Sequence, residues 1–263
     1  MDLYKFGVRT AIRSFFDKLK LQIHFIYRRR NESSSPSIVA YFINYNDSFY
    51  IPFFAKHYFK FCEKIIMYDN YSTDNSVELA KSLGIQVEYF GKKGELNDEA
   101  YRVVKNNVWK EQRNKKVNYV IVCDVDEFLC IDDLKGTAPN VQGFNMVSNH
   151  LPVDDILEIK TGGISDNYSK QAIFNPNAIE EINYDHGCHQ NHMKGVISKG
   201  GACRLLHYRQ IGGVQRVLDR HAEYRIRMSS YNLKHGFGMH YLDTDEQKRT
   251  EWDNLIADAK ELW

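Results

Sequence analysis

Blocks of apolar residues separated by polar turns recur through the first half of this chain. Residues 37–45 (SIVAYFINY) are short-run, β-branched and aromatic, and predict a strand. Residues 49–61 predict a helix, with Asp47 or Ser48 as its cap and Pro52 in its first turn. A second strand spans residues 64–68 and stops at Asp69-Asn70. Ser72-Thr73-Asp74 opens a helix that reaches about Leu83, where Gly84 ends it. Residues 85–90 predict a third strand, and residues 97–114 a helix with Ala100, Val103, Val104 and Val108 on related turns. The run Val117-Asn118-Tyr119-Val120-Ile121-Val122-Cys123 reads as a buried strand. Strand and helix taking turns in this way predict an α/β fold with a mostly parallel sheet and right-handed crossovers. After residue 135 the pattern weakens: Gly162-Gly163, Gly200-Gly201 and Gly212-Gly213 mark turns between short strands or loops, and residues 213–232 and 244–262 read as helical.

The last buried strand runs straight into Asp124-Val125-Asp126-Glu127. Alternation along a strand puts Asp124 and Asp126 on one side and Val125 on the other. Two carboxylates held together repel, so one takes up a proton or a cation joins them. Oxygen ligands suit Mg²⁺ or Mn²⁺, which stay open to substrate phosphates. Ligands of open parallel sheets bind outside the carboxyl ends of the strands. Three polar clusters fall at those ends: Asn44 to Asp47, Asp69 to Asp74, and Asp124 to Glu127. Asp69-Asn70 and Thr73-Asp74 also suit plain turn and cap roles, so both readings stay open for them.

Composition changes this picture little. A formal net charge of +1 over 263 residues gives no strong field for nucleic acid, and no nucleic-acid partner is expected. Five irregularly spaced cysteines (Cys62, Cys123, Cys130, Cys188, Cys203) read as reduced thiols of a cytoplasmic protein. Residues 1–30 carry eight Lys/Arg against Asp2 and Asp17, with Ile12, Phe15, Phe16, Leu19, Ile23 and Ile26 at helical spacing. A basic amphipathic helix of this kind lies on an anionic membrane face or packs on the protein's own core. The polar stretch 31–36 reads as a linker.

Four segments together resemble the glycosyltransferase family 2-like enzymes of GT-A fold, over roughly residues 37–221: NYNDS (44–48), MYDNYSTDNS (67–76), VIVCDVDEFL (120–129) and HYRQ (207–210). The resemblance implies a GT-A, Rossmann-like sheet flanked by helices, with helical additions at both ends. The domain organisation then becomes 1–30, a basic helix; 37–210, the transferase domain; and 211–263, a helical extension. It also implies sugar transfer, with inversion, from a nucleotide sugar, UDP-linked, to a glycan or lipid-linked acceptor in surface-polysaccharide synthesis. The enzyme would work on the cytoplasmic side, peripherally on the inner membrane face. A divalent cation, Mn²⁺ or Mg²⁺, would neutralise the departing diphosphate. In this reading Asp124, Asp126 and His207 are the metal set, with Asp126 the direct ligand and Asp124 also addressing the ribose. Asn44, Asp69, Asn70 and Asp74 join Asp124 in holding the nucleotide. For the general base the resemblance points to Asp185, with Asp154 and Asp155 as further candidates.

Two other classes compete. Haloacid dehalogenase-type phosphatases and phosphotransferases also place Asp-x-Asp after an apolar strand, with Asp124 then a nucleophile. A non-catalytic nucleotide- or carbohydrate-binding module would keep the ligand contacts without turnover.

Overall fold

Strand β1 (Ile38–Asn44) is buried at every position because both faces of its sheet are covered. In the computed structural model, which describes residues 36–263, Ile38, Ala40 and Phe42 of β1 enter one core while Val39 and Tyr41 enter another. The basic segment 1–30 lies outside the described residues. Helix α1 (Ile51–Tyr58) carries Pro52 in its first turn, as its sequence predicts, and buries Ile51, Phe54 and Tyr58 against the first face. Strand β2 (Lys64–Asp69), helix α2 (Ser76–Ser82) and strand β3 (Gln86–Tyr89) follow, with α2 on the same side as α1. Helix α3 (Asp98–Asn107) is capped by Asn97, whose side chain accepts from the Ala100 amide. It tightens into a 3₁₀ turn over Val108–Gln112, which sets the fully buried Trp109 into the second core. The single helix expected over 97–114 is thus two pieces.

Strand β4 (Tyr119–Asp124) completes a sheet of order β3-β2-β1-β4-β8, parallel throughout except for the short antiparallel β8 (Ile173–Phe174). The weak pattern after residue 135 conceals a second five-stranded sheet. It contains β5 (Glu127–Asp133), β6 (Val141–Ser148), β7 (Thr161–Ile164), β11 (Ala202–Ile211) and β12 (Lys260–Glu261), in the order β12-β7-β6-β11-β5. Only the β6–β11 pairing is parallel. A two-stranded ribbon of β9 (Ile179–Glu181) and β10 (Lys194–Gly195) lies apart from both sheets. Phe128, Phe144, Leu206 and Tyr208 of the second sheet share the core of α1, so the two sheets form one body.

The expected helix 213–232 is broken. Helix α4 (Val214–Arg227) ends where Met228 bridges to Leu96, and α5 (Ser230–His235) restarts behind a Ser229 cap. Helix α6 (Asp245–Asp258) opens on a Thr244–Gln247 capping box. The described chain is therefore a mixed α/β protein with two five-stranded mixed sheets and six α-helices among the described residues. No helix among them is long and apolar enough to cross a membrane.

One buried group ties stability to pH. His57 of α1 is 5% exposed, and its Nε2–H donates to the Leu129 carbonyl at 2.8 Å, while Nδ1 has no partner among the described residues. Burial pushes its pKa down from 6.5 to about 4. The folded ring therefore stays neutral where the unfolded ring takes a proton. The stability it permits is complete above pH 6.5 and is lost as pH falls towards about 4. The depression corresponds to about 3 kcal/mol at its fullest. Urea unfolding near pH 7 and about pH 5 is expected to show lower stability at the acid end, with a smaller difference in His57→Gln.

Candidate functional site

The Asp-x-Asp motif sits where the chain leaves one sheet and joins the other. Val125 still donates to the Ile43 carbonyl of β1 at 3.3 Å, and the next carbonyl, that of Asp126, already accepts from Tyr208 of β11 at 2.8 Å. Glu127 then begins β5, and one of its oxygens turns back to accept from the Asp124 amide at 2.8 Å. This two-residue crossing, rather than a continuing strand, holds both aspartates at the mouth of a cavity of about 270 Å³. The register of β11 against β5 pairs His207 with Glu127. Alternation along β11 sends Leu206 and Tyr208 into the core and leaves His207 and Arg209 on the cavity wall.

His207 Nε2 lies 3.4 Å from Asp126 Oδ2, and Arg209 Nε lies 2.6 Å from the same oxygen. The imidazole is stacked on Tyr168, with ring centres 3.8 Å apart and planes 17° from parallel. That stack depends on Gly143 of β6, where an added Cβ would collide with the Tyr168 backbone. His207 Nδ1 is 3.3 Å from Asn145 Oδ1, which fixes the ring with its Nε2 facing Asp126.

Asp126 is 1% exposed, and among the described residues neither of its oxygens is in a well-formed hydrogen bond. Burial raises its pKa, but Arg209 and His207 outweigh burial and hold it well below the usual carboxylate range. A buried carboxylate beside an imidazole nitrogen suits a divalent cation that takes its remaining ligands from phosphate oxygens. Asp124 is placed differently. Its Oδ2 meets Lys105 Nζ at 2.8 Å and Lys170 Nζ at 3.5 Å. Burial raises its pKa too, and the two ammonium groups more than reverse that. Lys170 also binds Glu127 at 2.7 Å, with both side chains at most 2% exposed. Asp124 is thus paired with two lysines, and Asp126 with Arg209 and His207. Among the described residues no set of three or more His, Cys, Asp or Glu side chains gathers as a metal site.

The other expected site residues fall outside the cavity wall. Asn44 Nδ2 donates to Asp69 Oδ1 at 2.9 Å, and Asp69 also accepts from the Ser72 amide and hydroxyl at 2.6 Å each. Asn70 Nδ2 donates to the Phe90 and Lys92 carbonyls at 3.0 and 3.1 Å. Asp74 accepts from the Ser48 and Ser76 amides at 3.1 and 3.0 Å. These four build the turns at the ends of β1 and β2, the open alternative for Asp69, Asn70 and Asp74. The base candidates are not brought to the cavity either. Asp185 accepts from the Gln190 amide at 3.0 Å and holds a loop of which Gly187, Cys188 and His189, not Asp185, line the wall. Asp155 caps the 3₁₀ turn Ile156–Glu158 and pairs with Lys56 at 3.5 Å, while the Asp154 carbonyl accepts from Lys56 at 2.9 Å. Lys56 of α1 thus holds both, Asp155 through its carboxylate and Asp154 through its carbonyl.

Sequence reading passed over Lys105, Arg209 and Asp98 on the cavity wall and Lys170 beside it. Lys105 and Lys170 carry no motif, and only the fold brings them to Asp124. Arg209 stands inside the HYRQ segment, so alternation from His207 was the signal available for it. Arg220 of α4 pairs with Asp47, which also meets Arg209 at 3.4 Å. Asp98 at the start of α3 lines the cavity, 7% exposed and in no ion pair among the described residues. Burial raises its pKa, against the pull of Asn232 and of nearby His240, His186 and His189.

Truncating Lys170 tests the charge balance beneath the motif. Lys170→Met leaves Glu127 buried and unpaired, and is expected to cost about 3–5 kcal/mol in urea unfolding. Adding Glu127→Leu to that variant is expected to recover most of the loss, because the coupled pair is then removed together. Comparison with known proteins gives no matching family model and no matching curated protein.

Proposed function

We propose that this protein is a metal-dependent GT-A glycosyltransferase that moves a sugar from a nucleotide sugar, UDP-linked, to a hydroxyl of a glycan or lipid-linked acceptor, with inversion. The observation that carries the reading is the pairing of Asp126 with His207 at the carboxyl end of a parallel sheet, at 3.4 Å and facing a cavity. That position is where open α/β sheets receive their ligands. Asp126 and His207 would hold the cation, Mn²⁺ or Mg²⁺, which when bound supplies charge to stabilise a departing nucleoside diphosphate.

The chain's own cations add to this. Arg209 and Arg220 line the cavity close to Asp126 and Asp47, and in a site shielded from water such fixed charges favour a developing polyanion. Lys105 holds Asp124 ionised as an acceptor for the donor's ribose. The remaining requirement is a group that takes the acceptor's proton. Asp98 answers it best among the wall carboxylates: Asp47, Asp124, Asp126, Glu127 and Glu251 are each ion-paired with Lys or Arg. Its raised pKa also makes it a stronger base than an ordinary aspartate. The basic segment 1–30 would bring the enzyme to the anionic inner face of the membrane, where a lipid-linked acceptor resides.

Calorimetric titration of UDP into the full chain tests the donor site. Binding is expected with Mn²⁺, is expected to be lost with chelator, and is expected to weaken at least about tenfold in Asp126→Ala, the scale of one charge-assisted contact. No binding of UDP under any of these conditions would remove the basis of the assignment.

A further inference from the structure

Among the cations that line the cavity, Arg227 stands apart. Lys105, Arg209, Arg220 and Lys248 are each within ion-pair distance of a carboxylate, whereas Arg227 has none among the described residues. Its guanidinium carbon sits 3.3 Å from the centre of the Tyr45 ring, stacked face to face closely enough for cation–π attraction. Its Nε–Nη2 edge is engaged: Nε donates to the Gly94 carbonyl at 2.8 Å, and Nη2 meets Asn70 Oδ1 and Tyr101 Oη, each at 3.3 Å.

The backbone around it is fixed as well. The Leu96 amide donates to the Arg227 carbonyl at 2.8 Å, the Ser229 amide donates to the Leu96 carbonyl at 3.0 Å, and the Asp98 amide donates to Asn232 Oδ1 at 3.0 Å. The end of α4 is in this way stitched to the loop before α3, and the guanidinium is held flat at the ends of β1 and β2.

An arginine whose edge is tied down and whose charge is uncompensated acts through its plane. Delocalised guanidinium faces are surfaces on which flat heterocycles stack, and stacking tolerates the identity of the base. A phosphate would instead use a forked edge, and the Nε–Nη2 fork here is committed to Gly94, Asn70 and Tyr101. Tyr45, Tyr101 and Arg227 all line the same cavity as Asp126. We infer that Arg227, layered on Tyr45, is the platform on which the nucleobase of a nucleoside diphosphate donor stacks, so that the C-terminal helix α4 completes the donor site. This rests on the donor reading above and adds to it a residue that separates base recognition from diphosphate recognition.

The test compares UDP with inorganic pyrophosphate, which has the anion but no base. Both are titrated with Mg²⁺ into the full chain as wild type, Arg227→Ala, Arg227→Lys and Tyr45→Leu, with a thermal melt confirming that each variant is folded. The expected result is a loss of about tenfold in UDP affinity in all three variants, with pyrophosphate affinity unchanged within about twofold. Lysine keeps the charge but has no plane, so it is not expected to rescue. Parallel loss of pyrophosphate, full rescue by lysine, tighter UDP binding in Arg227→Ala, or no change in UDP would each overturn the platform. A wild-type protein that binds neither probe would overturn the donor reading itself, and the platform with it. Should Arg227→Ala fail to fold, Tyr45→Leu alone decides, because it removes the supporting layer and leaves the three hydrogen bonds of the guanidinium in place.

Discussion

Lys170 and Glu127 meet at 2.7 Å in a place almost closed to solvent, and the acidic turn between the two sheets hangs on that contact. Taking two charges out of water costs several kcal/mol each, and their attraction in the interior does little more than repay it. The contribution of the pair is therefore positional. One Glu127 oxygen receives the ammonium group while the other receives the Asp124 amide, which fixes the last residue of β4 against the first residue of β5. Asp124 and Asp126 then have one place to stand, and His207 and Arg209 arrive beside Asp126 through the pairing of β11 with β5.

From that junction the charges of the cavity are matched almost one to one: Asp124 with Lys105 and Lys170, Asp126 with Arg209, Asp47 with Arg209 and Arg220, and Glu251 with Lys248. A site arranged in this way has its dipoles and charges set before any ligand arrives, which spares reorganisation when a charged ligand binds. The two departures from matching, Asp98 and Arg227, lie on the side of the cavity closed by α4, α5 and the start of α3. The C-terminal helices thus belong to the site as much as the sheet does, although in the sequence they read as an extension beginning at residue 211.

Much of the first sheet was legible because both its faces are covered, so β1 and β4 appear as apolar runs that no polar face interrupts. Pro52 in a first turn and the polar strand ends were legible for the same local reasons. The second sheet was not. Its strands β5, β6 and β11 carry Asp132, Gln142, Arg204 and Arg209 among their apolar residues, and the partner of each strand is distant in the chain. Short polar residues were ambiguous in a further way. Asn44, Asp69, Asn70 and Asp74 serve either a ligand or a turn with the same spacing, and here they satisfy the backbone of turns. The resemblance pointed to Asp185, with Asp154 and Asp155 as further candidates; here Asp185 accepts from the Gln190 amide, and Asp155 caps a 3₁₀ turn and pairs with Lys56.

Local periodicity and side-chain chemistry alone established the alternating strands and helices of the first half and the strand that ends on paired aspartates. Only the tertiary structure decided which charge meets which. It gave Asp124 to two lysines, left Asp126 with His207 and Arg209, and laid Arg227 on Tyr45. The reason is that a side chain's charge partners are set by strand register and helix packing across separations such as the 46 residues between Asp124 and Lys170, and no local pattern encodes those.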